Sequence, residues 1–393
     1  MTKLALLFAV LFLLFVGTPG PSTADPSTDA PFMHGQSSQP EFVFNVYRAV
    51  VKGKPNDNVM ISPYGIQKML DLARHGAGGQ TRTEIEKVLG YAESISWDAS
   101  SDGTLTIADA LWVQQDFSIF PEFLQTARER FGSSVEQADF SRNPNEAVKQ
   151  INAWCSKNTK GKIPTLFSHL DEDTRFVLAS AIHFAADWKI QFNRTRTQTS
   201  DFTLLDGSKV KTKLMARTSR TNYGETDDAF VVELLYEDED YAMVILLPKK
   251  PANFGQWESA MSIQKFNFIR RSMRMCLVDL RMPKFTLENH LPLNDMLKQL
   301  GMRTAFDEYK ADFKKIAHVE GRPLYVGDVL QKTFIKVDEK GTEAAAITGV
   351  RIPIGCSAPE RPLPFHADYP FLYAIVKRDT ILFLGRFVKP DGK

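Results

Sequence analysis

From Glu41 onward the chain offers no place to divide it. Helix-like and strand-like periodicities follow one another without a Pro-, Ser- or Gly-rich linker, a charge run or an internal repeat. Helix patterns dominate the first half, at 66–73, 84–90 and 145–158. Strand patterns appear at 107–114 and 176–184 and dominate the second half, at 229–236, 243–248, 276–285, 333–337, 372–376 and 381–389. A length of 393 residues would allow two or three domains at roughly 100–200 residues each. The unbroken patterning instead predicts a single large mixed domain of the α+β type over residues 40–393. With 43% hydrophobic residues and 3 cysteines, the chain is neither disordered nor a disulfide scaffold. A net charge of +1, from 48 basic against 47 acidic side chains, argues against a nucleic-acid partner, whose phosphates would call for a basic excess.

The amino terminus reads differently. Lys3 precedes an unbroken apolar run from Leu4 to Val16, and small residues lead to Ala24, the pattern of a signal peptide spanning 1–24. An apolar run of about 13 residues is too short for a bilayer that needs about 20, so a secreted, extracellular protein without a membrane anchor is expected. Residues 25–39, rich in Pro, Ser and Gly, read as a disordered tail. In a secreted chain the sequon Asn193-Arg194-Thr195 is a glycan acceptor. Cys155 and Cys276 lie in helix-like and strand-like runs and read as buried small hydrophobes, whereas Cys356 lies in an exposed Pro- and Gly-rich segment.

Enzyme constellations are missing. There is no Gly-x-Ser-x-Gly elbow, His-Glu-x-x-His helix, phosphate loop or Cys-x-x-Cys pair. The glycines around Gly76–Gly79 follow a helix rather than a strand, and His183 stands alone in an apolar strand. No catalytic residue, cofactor or metal site is therefore expected.

The informative stretch runs from Val337 to Phe371. Its core, Glu339-Lys340-Gly341-Thr342-Glu343-Ala344-Ala345-Ala346, follows an apolar strand. Alanine favours a short surface helix. Strand parity offers another reading: Thr342, Ala344, Ala346, Thr348, Val350 and Ile352 would share a small or apolar face, with both charges, Glu343 and Arg351, on the other. With no Pro before Pro353, this segment could stand out as a loop and also enter a sheet as a new strand.

These residues resemble the reactive-loop hinge of the serpins, and Phe365-His366-Ala367-Asp368-Tyr369-Pro370-Phe371 resembles that family's carboxy-terminal signature. Further similarities are Asn58-Val59-Met60-Ile61-Ser62-Pro63, Ile151 to Trp154 with Thr159 to Ile163, Phe176 to Phe184 with Trp188, Met282-Pro283-Lys284-Phe285, and Ile381 to Arg386. The resemblance implies three β-sheets, eight or nine helices, and an exposed loop over about 339–364 offered as bait to a protease. It also implies a suicide-substrate mechanism in which the cleaved loop enters the central sheet and traps the acylated serine protease, or less directly a cysteine protease. Such a protein acts as a monomer and is an inhibitor rather than an enzyme. The competing expectation is a non-inhibitory carrier or binding protein with the same fold.

Several site expectations follow from the resemblance. Lys284 pairs with Glu339 at the base of the loop. Ser62, Ser180, Trp188 and Gln331 belong to the region where the sheet opens, although Gly65, Ser180 and Gln331 stand where the family commonly has Ser, Asn and His. Counting Glu339 as the seventeenth residue before the scissile bond puts that bond at Gly355-Cys356, with Cys356-Ser357 one residue further. Arg351-Ile352 would suit a trypsin-like protease but leaves the inserted strand four residues shorter, roughly 13 Å at about 3.3 Å per residue. A small residue at the bond favours an elastase-like target. The stretch corresponding to helix D, 90–107, is short and carries no basic run, which argues against glycosaminoglycan activation through it. Arg270, Arg271 and Arg274 stand where some relatives bind heparin, but read rather as an ordinary solvated helix end.

Overall fold

The computed structural model describes residues 40–91, 97, 104–318, 321, 323–342 and 361–390. The expected signal peptide and tail, 1–39, and most of the 90–107 stretch lie outside the described residues, as do Glu343 to Ala346, Arg351, Gly355, Cys356 and Ser357.

Within these bounds there are eight α-helices and three sheets, of nine, seven and two strands. The seven-stranded sheet positions the candidate site. Its backbone is the strand Phe176–Phe184, which pairs antiparallel with Leu105–Gln114 on one side and parallel with Asp328–Val337 on the other. Phe285–Pro292 closes the far edge against Asp328–Val337, and Ser134–Ala138 lies beside Leu105–Gln114. Every residue of Phe176–Phe184 is buried, because both faces are covered. Phe176, Leu178, Ile182 and Phe184 enter the main core between the sheets, while Val177, Ala179 and Ala181 meet Trp112, Ile151 and Cys155 beneath the helix Pro144–Asn158. A strand buried on both faces is a continuous apolar run, which is why this one is legible to the residue.

The helix Pro63–Gly76 runs behind the sheet. Ser62 caps it by accepting from the Gly65 N–H at 3.2 Å, with Pro63 at the first helical position. Gly76 and Gly78 are packing glycines rather than a nucleotide loop: a Cβ on Gly76 would lie 2.2 Å from Ile316 Cγ1, and the Gly78 N–H donates to the Asp312 carbonyl at 2.9 Å. The single strand expected at 276–285 is two strands, Arg274–Pro283 in the nine-stranded sheet and Phe285–Pro292 in the central one. Lys284 is the crossing point, following a proline that cannot donate to a further ladder bond.

Cys155 and Cys276 are free and buried, and burial pushes the Cys155 thiol up to about 12. His183 is buried and stacks on Phe334. The basic cluster is not a solvated helix end. Arg270 is only 3% exposed and donates to Glu233 at 2.6 Å, so it faces inward while Arg271 and Arg274 face solvent.

Candidate functional site

The strand Asp328–Val337 ends in a tight return. Asp338 starts it as an Asx turn, its Oδ1 accepting from the Lys340 N–H at 2.9 Å while its own N–H donates to the Gly341 carbonyl at 2.9 Å. The chain then comes back as a two-residue strand, Gly341–Thr342. Thr342 lies opposite Val337 on one side and Ala186 on the other, and Gly341 lies opposite Asp187. The expected exposed loop is therefore not exposed at its start: Glu339 and Lys340 are each 6% exposed and Thr342 is fully buried. At its other end the expected loop also stops early, because Leu363–His366 pairs parallel with Val278 to Arg281.

Only glycine fits at 341. A Cβ there would sit 2.1 Å from the Ala186 carbonyl oxygen and 2.5 Å from Asp187 Cα, both rigid backbone atoms. Thr342 belongs to the face that parity assigns inward, and its hydroxyl meets the Tyr236 hydroxyl at 3.0 Å. The carbonyls of Asp338, Glu339 and Lys340 are claimed by one segment. Trp188 donates its backbone N–H to Lys340 and its indole N–H to Asp338, at 2.8 and 2.9 Å, and the Phe192 N–H donates to Glu339 at 2.8 Å. Trp188 in turn stacks on Tyr236 with centroids 4.5 Å apart.

Two ion pairs flank the turn, Lys340 with Asp187 at 3.0 Å and Lys284 with Glu339 at 2.9 Å. Burial alone would raise the Glu339 carboxyl. Hydrogen bonds from Lys284, its own N–H and Thr197 outweigh that and hold it below the ordinary 4.5. A depressed carboxyl contributes stability above its unfolded value and loses it as pH falls through the folded one. The latch at the top of the sheet is therefore expected to loosen on acidification below about pH 4.5. Because the Lys284 side chain is 39% exposed, the coupling is expected to be about 1 kcal/mol or less. A Lys284→Ala, Glu339→Gln double-mutant cycle on polymerisation rate measures it, and strict additivity at neutral pH would refute the pairing as a latch.

Below the turn lies the seam, where Val177 to His183 pairs with Asp328 to Phe334. One row across it is polar. Asp109, Ser180 and Gln331 are successive cross-strand partners, all facing the helix Pro63–Gly76 and all at most 5% exposed. Gln331 binds the Ser62 backbone twice, donating from Nε2 to its carbonyl at 2.9 Å and accepting from its N–H at 2.8 Å. Ser62 Oγ donates to the Leu382 carbonyl. On the other side of the seam Ser180 donates to Asp109 at 2.7 Å, and Asp109 faces the Lys68 ammonium at 3.3 Å. Gly65 stands between these halves, where a Cβ would lie 2.2 Å from Ile182 Cδ1 and 3.0 Å from Ser180 Oγ. Among the described residues no side-chain hydrogen bond of this row crosses the seam: Gln331 is fastened to the helix cap and Ser180 to Asp109 on the strand away from it, so the seam itself is held by its backbone ladder.

The structure brings Ser62, Ser180, Gln331, Trp188, Lys284 and Glu339, which the sequence singled out, together with Lys68, Asp109, Tyr236 and Phe192, which it did not. Asp109 left a signal, a lone carboxylate in an otherwise apolar strand. Asn193 is exposed and accepts from the Thr195 N–H and hydroxyl.

A family profile described as serpin (serine protease inhibitor) matches residues 37–390. A serpin-like protein of Thermococcus kodakarensis is 35% identical over 89% of this chain and 85% of its own length. The human leukocyte elastase inhibitor is 29% identical over 90% of this chain and 99% of its own. Among solved structures, native protease nexin-1 with heparin superposes with a TM-score of 0.80 at 29% identity, covering 89% of this chain and 97% of that one.

Proposed function

The chain belongs to the serpin family, and we propose that it is a secreted suicide-substrate inhibitor of serine proteases that works by inserting its cleaved reactive loop into the central sheet. The observation that carries this reading is the Gly341–Thr342 strand, which lies between the end of Asp328–Val337 and Ala186–Asp187, just past the end of Phe176–Phe184, at the first position of an inserted strand. From Gly341 to Ile352 the sequence contains no proline, so a run of about a dozen residues, roughly 40 Å at about 3.3 Å each, can follow the same path. Insertion separates the strands along the polar row. The free energy comes from the ladder bonds and apolar burial that a full additional strand adds.

The bond attacked is Gly355-Cys356, and a small residue there suits an elastase-like primary pocket, in keeping with the inhibitor named for leukocyte elastase among the relatives. Incubation with elastase-like and trypsin-like proteases tests both parts. A denaturant-stable complex is expected with the former, together with a released carboxy-terminal peptide beginning at Cys356. Cleavage without complex would refute inhibition, and a peptide beginning at Ile352 would refute the count. Secretion is supported by the apolar amino terminus and by the exposed sequon. Enzymatic deglycosylation of the secreted protein should convert Asn193 to Asp, and a protein retained inside expressing cells without that conversion would overturn it.

A further inference from the structure

Behind the segment that clamps the hinge is a half-open pocket of about 100 Å³, walled by Lys189, Ile190, Arg217, Arg220, Asn222 and Glu233 among others. It is smaller than the roughly 300–1,000 Å³ of sites for drug-sized ligands. Arg217 makes it unusual. The residue is 6% exposed, yet no carboxylate lies within ion-pair distance of it among the described residues. Its Nη1 donates to the Ile190 carbonyl and its guanidinium lies 4.8 Å over the Phe192 ring. Its Nε is buried without any hydrogen-bond partner. A buried cation in this condition carries a desolvation penalty that a counter-charge would relieve.

Among the described residues, Glu233 is the carboxylate in the wall, and it is already engaged. Glu233 accepts from Arg270 at 2.6 Å and from Asn222 at 3.0 Å. Lys189 shares its charge with Glu239 at 2.6 Å, which leaves it at the rim. The wall therefore sets the buried Arg217 beside two further cationic residues, Lys189 and Arg220.

We propose that this pocket is a binding site for a small oxyanion, a carboxylate or a tetrahedral phosphate or sulfate group, with the buried guanidinium of Arg217 as its principal partner. A guanidinium offers planar, paired donors that match either kind of group. Burial without a counter-charge holds Arg217 down at about 9, so it is still cationic at neutral pH. The site adjoins the hinge: Arg217 supports Ile190 and Phe192, and the Phe192 N–H holds the Glu339 carbonyl. Trp188, between them and the turn, is a built-in reporter.

Calorimetric titration of the full-length protein with inorganic phosphate, sulfate and acetate, at ionic strength held constant with chloride, tests the site. Saturable one-to-one binding is expected with at least one of them, accompanied by a change in tryptophan emission. Binding of acetate alone assigns a carboxylate ligand, and binding of phosphate and sulfate alone assigns a tetrahedral one. Arg217→Gln is expected to weaken affinity about tenfold or more, the loss of a charge-assisted hydrogen bond, and Arg217→Lys to weaken it less. Absence of saturable heat for all three anions, or equal affinity in the wild type and Arg217→Gln, would overturn the site. Arg217→Gln removes an unpaired buried charge and should fold. If it does not, a Lys189→Gln, Arg220→Gln double variant, expected to lose several-fold in affinity, carries the same test.

Discussion

Thr342→Arg is expected to turn the inhibitor into a substrate. Thr342 is fully buried, its hydroxyl meets Tyr236, and its backbone pairs on both sides. A guanidinium at this position must either enter the core or force the two-residue strand out. Burying it costs several kcal/mol. If about 3 kcal/mol of that is felt in the insertion step, insertion slows roughly 100-fold at 1.36 kcal/mol per decade. Hydrolysis of the acyl-enzyme then wins, so the protease is released and the inhibitor is cut. The measurement is the ratio of denaturant-stable complex to cleaved protein. Thr342→Ser should keep the wild-type ratio, and a wild-type ratio for Thr342→Arg would rule out entry of this face into the sheet. Gly341→Val should behave like Thr342→Arg, because the Ala186 carbonyl leaves no space for a Cβ.

The second large effect is expected at Lys68. Its ammonium and the Asp109 carboxylate are 4% and 2% exposed as side chains. Lys68→Met leaves Asp109 buried with Ser180 as its remaining hydrogen-bond partner among the described residues, which costs about 3–5 kcal/mol by the usual penalty for breaking a buried pair. Burial already raises the Asp109 carboxyl, although Lys68 and the Ser180 hydroxyl pull it back, and removing Lys68 raises it further. A carboxyl raised on folding favours the native state most below its unfolded value, and that contribution is lost as pH rises through the folded one. The deficit of Lys68→Met should therefore be largest at neutral pH and shrink on acidification, and Asp109→Asn in the same background should recover much of it. Thermal unfolding as a function of pH reads both. A deficit independent of pH would show that lost packing, not the uncompensated charge, accounts for the effect.

How much of this was legible in the sequence depended on whether the relevant interactions were local. The strand Phe176–Phe184 could be read to its ends because burial on both faces makes it continuously apolar. The strands Gln198–Thr203 and Lys209–Glu225 were missed, since much of their length faces solvent and carries polar residues. The break at Lys284 was hidden because Pro283 and Phe285 continue the apolar pattern while belonging to different sheets. At the site, Glu339 to Thr342 could be singled out by composition. Their burial could not, because it depends on Ala186, Asp187, Trp188 and Tyr236, all more than a hundred positions away. The substitutions at Gly65 and Gln331 were visible, but the use of Lys68 with Asp109 required knowing that a helix and a strand face each other.

The two-residue strand bears on speed as well as on geometry. Starting a new ladder means ordering several residues before any bond is returned, whereas extending one adds a bond for each residue fixed. With Gly341 and Thr342 held in register between their neighbours, the resting molecule resembles a zipper whose slider is already engaged. On the proposed mechanism, no search for the entry point is needed after cleavage, and the time to closure is set by parting Val177 to His183 from Asp328 to Phe334. A race against the protease's own hydrolytic step is then run from a moving start.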